Sequence, residues 1–150
     1  MSNRYVLMKY FLISYMLIWL IATPIMLLGL YLHGIPFSTE YEVYIGSAPL
    51  YLTTLTVYVS ALPSYYIPAS AYFKKSTGTI SKKFIVRTAL VFWGLSMFLD
   101  LIFVVLVAGI NILAYPFDWI YLGVGPVMIM SVCLAGIRNL QGGEQNGKNG

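Results

Sequence analysis

From Tyr10 to Leu32 no charged residue interrupts the chain, and the same holds from Pro49 to Phe73 and from Trp119 to Ile137. A further run, Thr88 to Leu113, is broken once, at Asp100. Each run is close to the ~20 apolar residues that a helix needs to cross a ~30 Å hydrocarbon core. The pattern predicts an all-α membrane protein with four transmembrane helices, over about 10–32, 49–73, 85–113 and 118–138. Successive crossings of a bilayer alternate in direction, which gives an antiparallel up-down bundle. Residues 1–140 read as a single four-helix transmembrane domain, and the Gly-, Asn- and Gln-rich segment 141–150 as a disordered cytoplasmic tail. The first run exceeds the about 7–15 residues of a signal-peptide core, so it reads as an uncleaved anchor.

Polar positions inside the runs are patterned too. The second run holds Pro63 and Pro68, which withhold backbone donors from the carbonyls of Val59 and Ser64. In lipid those carbonyls need partners from neighbouring helices, hydroxyls or water. Thr53, Thr54, Thr56, Ser60 and Ser64 place hydroxyls nearby, so this helix is expected to be kinked and to turn its hydroxyl side toward protein. In the fourth run Ser131 and Ala135 form a small-xxx-small pair that lets another helix approach closely.

Charge sets the orientation. With four crossings, the N-terminus, the central loop and the C-terminus share one side and hold all nine Lys and Arg. The other side holds Glu40, Glu42 and Asp118 and no cation. The positive-inside rule puts both termini in the cytoplasm. The basic residues therefore read as orientation signals at helix ends, and nucleic acid is rejected as a partner. Lys74, Lys75, Lys82, Lys83 and Arg87 are also candidate contacts for anionic lipid headgroups. Composition strengthens the membrane reading: 59% of residues are apolar and 9% charged, against about 25% charged in soluble domains.

Asp100 is the acid expected deep in the bilayer. An Asp near a helix centre costs about 2.5–3.5 kcal/mol on the insertion scale, while each Leu, Ile, Phe or Val returns about 0.3–0.6. Sixteen such residues lie between Thr88 and Leu113, so the helix inserts with its acid inside. Asp100 sits about 18 Å along from Thr88 at 1.5 Å per residue, a little past the midplane. Ser96 lies one turn back and Asn111 falls on the same face, a stripe expected to point into the bundle. Matching depths suggest the hydroxyls of Tyr58 and Thr23 as partners, with Ser131 weaker. Two roles are open: a proton- or ion-handling acid, or a cation-pairing site for another subunit. The plainer alternative is a neutral acid hydrogen-bonded between helices, since desolvation disfavours the charged form.

Other chemistry is thinly represented. His33 is the single histidine and reads as an interfacial polar cap; bis-histidine haem ligation and a His-based metal cluster are excluded within one chain. Cys133 stands alone, without a disulfide or Cys-x-x-Cys partner. Most of the thirteen tyrosines fall near expected interfaces, and Tyr65-Tyr66 beside the prolines reads as bundle core rather than a quinone pocket. No nucleotide loop, nucleophile elbow or metal motif occurs.

The expected function is that of a non-enzymatic multi-pass membrane protein without catalytic, cofactor or metal residues. It would act through helix packing as an accessory or scaffold subunit, in contact with the bilayer and with other membrane subunits or further copies of itself. The Tyr- and Ile-rich, Cys-poor make-up is compatible with an archaeal or archaeal-virus source, and hence with a cell or host membrane. The alternative is an oligomeric small channel or transporter in which Asp100 of each protomer lines a shared path.

Overall fold

The computed structural model describes residues 3–34, 50–76, 80–102 and 119–146. These form four helices, α1 (Asn3–Leu32), α2 (Leu50–Lys75), α3 (Lys82–Asp100) and α4 (Trp119–Asn146). No strand occurs among the described residues.

The helix ends follow local chemistry. α1 stops at a glycine: Gly34 takes φ +67, a left-handed geometry that costs a residue without Cβ little. Its N–H donates to the Tyr31 carbonyl at 3.0 Å. The His33 Nδ1–H donates to the Gly29 carbonyl at 2.7 Å, so the lone histidine caps the helix it follows. α3 opens on Ser81, whose extended backbone and Oγ, accepting from the Phe84 N–H, make an N-cap. α2 runs through both Pro63 and Pro68 without ending. At Leu101 and Ile102 the backbone of α3 passes into π-helical bonding, immediately after Asp100. α4 continues to Asn146, so helix occupies the first part of the segment read from sequence as a tail.

The main packing pairs are α1 with α2, α2 with α4, and α3 with α4. Their directions can be read from contacts at both ends. Gly29 approaches Leu52 while the Tyr10 ring lies beside that of Tyr72, so α1 and α2 are antiparallel. Gly136 faces Ile85 and Gly125 faces Trp93, so α3 and α4 are antiparallel as well. Tyr72 and Phe73 meet Phe84, whereas Tyr65 meets Ser96, which sets α2 against α3 in the same sense. An up-down bundle results.

The bundle buries polar side chains and exposes apolar ones. Ser14, Thr56, Ser60, Ser64, Thr88, Ser96 and Ser131 are all buried. Several hydroxyls turn back on their own helix: Ser14 donates to the Tyr10 carbonyl, Ser60 to Thr56, Thr88 to Phe84 and Ser131 to Val127. Outside, Met16 and Leu20 are each 70% exposed, and Leu55, Ile67, Leu90, Phe98, Met130 and Leu134 also face outward. One helix among the described residues, Arg4–Leu32 near the N-terminus, has the length and apolar character to cross a membrane. Within α4 the described side chains give a further apolar stretch, Val124–Leu140. Four helices thus stand where four were expected, and spanning length and composition hold for one of them. α2 misses on composition, because its hydroxyl, tyrosine and proline residues lower the average even though its serines point inward.

Candidate functional site

Phe92, Ser96 and Asp100 recur at intervals of four along α3 and therefore share one face. Phe92 and Ser96 are buried, and Asp100 is half-buried at the last α-helical position before the π-helical turn. Tyrosines from two different helices reach this face. Tyr15 Oη of α1 donates to Asp100 Oδ1 at 2.7 Å. Tyr65 Oη of α2 lies 2.8 Å from Ser96 Oγ, where either hydroxyl can donate.

Aromatic rings fix both phenols. Phe92 meets Phe11 edge-on, with centroids 5.7 Å apart, and meets Tyr65 at 6.5 Å in the same manner. Tyr15 contacts Phe11 on one side and Trp19 on the other. Such edge contacts favour the orientation observed beyond simple burial. Tyr65, at 1% exposure, is among the most enclosed large side chains, and Asp100 lies within its electrostatic reach. The site is thus a carboxyl and a serine on α3, each engaged by a phenol from a neighbouring helix.

The residues expected from sequence distribute as follows. Asp100 and Ser96 belong to this face. Thr23 is exposed on α1 and Tyr58 is half-buried on α2, while Tyr15 takes the role of hydroxyl donor to the acid. Ser131 donates to its own helix. Asn111 lies outside the described residues, as do the side chains of Thr53 and Thr54. Sequence reasoning missed Tyr15 altogether and assigned Tyr65 only to the core. The signal that would have found Tyr15 is the row Tyr10, Phe11, Ser14 and Tyr15 on one side of an otherwise uniformly apolar helix.

The basic residues form a second feature. Lys74 and Lys75 end α2, and Lys82, Lys83 and Arg87 open α3; all five are exposed. Arg4 and Lys9 in the first turns of α1 and Arg138 near the end of α4 lie at the same end of the up-down bundle. Of the nine Lys and Arg, Lys148 alone falls outside the described residues. Some of these cations are tethered. Lys75 Nζ sits 6.0 Å from the Tyr10 ring centroid, and Arg138 Nη1 donates to Tyr66 Oη at 2.9 Å. Beside it, Asn139 Nδ2 donates to the Ala135 carbonyl and to Ser70 Oγ of α2.

Chemically, the phenol–carboxyl pair makes a directed link between helices. No group of three or more His, Cys, Asp or Glu side chains suited to a metal occurs among the described residues. Cys133 is half-buried and unpaired as a thiol. No protein-family model matches the chain, and neither a curated protein nor a solved structure shows significant similarity to it.

Proposed function

We propose that this chain is an integral membrane protein crossing the bilayer four times, with both termini in the cytoplasm. It acts through helix packing, as an accessory or scaffold subunit rather than as an enzyme. The observation that carries this reading is the inverted polarity of the bundle. Serine and threonine hydroxyls lie inside, large apolar side chains lie outside on every helix, and the cations gather at one end. In water this arrangement is unfavourable, since full burial of a single Leu, Phe or Met is worth about 1.5–3 kcal/mol. Soluble monomers rarely expose such continuous apolar surface. In lipid the same arrangement is favourable, because tails solvate the outer face and the hydroxyls of Ser14, Ser60, Thr88, Ser96 and Ser131 are satisfied between or within helices. Average hydropathy understates α2 as a span, because its buried serines and threonine turn toward protein.

The Tyr15–Asp100 hydrogen bond favours a packing role for the acid over the alternative of an oligomeric channel or transporter. A carboxyl already engaged by a phenol of its own chain is held as a helix link. The test is carbonate extraction followed by purification in mild detergent, with mass measurement and identification of co-purifying chains. Retention in the membrane pellet and isolation as a complex or self-assembly are expected. A carbonate-soluble protein, or a strict monomer without partners, overturns the reading. Ion flux in liposomes that Asp100→Asn abolishes with assembly intact would favour the channel instead.

A further inference from the structure

We propose that the outer face of α3 is a binding site for one anionic glycerophospholipid. Its phosphate is held by Lys82, Lys83 and Arg87, and an acyl chain lies along Val86, Leu90 and the notch at Gly94. The inference rests on the membrane reading above and names a ligand for it.

An open groove of about 650 Å³ runs along this helix, lined by Lys82, Lys83, Val86, Arg87, Leu90 and Val91. Its surface is almost wholly apolar, and the cationic side chains Lys82, Lys83 and Arg87 flank its first half as a rim. The first turn of α3 holds no acid to neutralise the rim. Farther along, Gly94 extends the trough: a Cβ built there meets nothing within 4 Å. Leu90 and Phe98, one turn to either side on the same face, are 49% and 58% exposed and form the walls of the dip. From Leu90 to Phe98 the helix rises about 12 Å. That is close to one leaflet of a ~30 Å core, so the trough has the depth of an acyl chain below a headgroup at Lys82 and Lys83.

Charge decides between occupants. A second copy of this chain in the same membrane has the same orientation and brings its own cations to the same level, so rim would meet rim. A free anion has no use for the apolar floor. An anionic phospholipid complements both parts. Each basic residue near an anionic surface strengthens binding about fivefold, so three together contribute about two orders of magnitude.

The experiment uses the full chain purified in detergent after carbonate-resistant extraction, which separates failure of the membrane reading from failure of this one. Native mass spectrometry then compares retention of phosphatidylglycerol with that of phosphatidylcholine. One phosphatidylglycerol per chain is expected to persist, with phosphatidylcholine washed away. K82Q/K83Q/R87Q should weaken retention by about 100-fold, while K9Q/K74Q/K75Q, with the same charge loss at the same end, should keep most of it. Gly94→Leu leaves charge unchanged and should also weaken retention, which keeps the proposal testable if the triple variant misfolds. Equal losses in both triple variants would overturn it, leaving only diffuse attraction. So would an unaffected Gly94→Leu, displacement of the lipid by glycerol phosphate at equal concentration, or a self-dimer that the rim substitutions strengthen.

Discussion

The phenol of Tyr15 on α1 donates to the carboxyl of Asp100 on α3 across 2.7 Å, linking residues 85 positions apart. α1 and α3 are not among the main packing pairs, so this hydrogen bond and the Phe11–Phe92 edge contact are specific links between them. The acid at the end of α3 is thereby part of the bundle's assembly.

That link predicts an asymmetry. Tyr15→Phe keeps the ring but removes the phenol's hydrogen bond to the carboxyl, a charge-assisted type of bond, and should cost about 1–3 kcal/mol. Asp100→Asn keeps an acceptor oxygen and should cost less. Unfolding by denaturing detergent, followed by helical circular dichroism, measures both. A loss for Tyr15→Phe no larger than for Tyr31→Phe, at an exposed position, would remove the special role of the pair.

The Tyr65–Ser96 contact should behave as a unit. Tyr65→Phe and Ser96→Ala each lose one hydrogen bond, worth about 0.5–1.5 kcal/mol, and the double variant should cost little more than either. Tyr65→Ala also opens a cavity beside Phe92 and should cost about 3–5 kcal/mol. Full additivity of the two hydroxyl deletions would mean that the hydroxyls are not coupled.

Two glycines should respond in opposite directions to the same substitution. A Cβ at Gly136 would stand 2.7 Å from Ile85 side-chain atoms, so Gly136→Ala must displace Ile85 or its helix and should destabilise by about 1–3 kcal/mol. Ile85→Ala in the same chain should recover part of that loss. At Gly94 a Cβ meets open space, and Gly94→Ala should gain up to about 1 kcal/mol of helix propensity. Melting temperatures of the three variants in one detergent decide this.

The helices and their antiparallel order were legible because long uncharged runs and charge placement act over whole segments. Asp100 was legible because a charge inside an apolar run stands out, and Ser96 followed from the four-residue spacing. Tyr15 was not. Tyr58 and Thr23 were proposed by counting depth from helix ends, but depth does not fix which way a side chain turns around its helix. α1 is apolar almost all round, so its inward face leaves little trace in the sequence. The levels of the helices also differ: Phe11 lies beside Phe92, a full turn beyond Thr88, where depth was counted from. That offset, with the length of a tyrosine side chain, brings Tyr15 within reach of Asp100. Tyr65 was visible only as half of an aromatic pair, since its serine partner is 31 residues away on another helix.

The four crossings are tested most directly by labelling single cysteines in intact cells with a membrane-impermeant maleimide, in a Cys133→Ser background. Glu42→Cys should react from outside, whereas Ser76→Cys and Asn149→Cys should react only after the membrane is opened. Labelling of Ser76→Cys and Asn149→Cys from opposite sides would contradict the account.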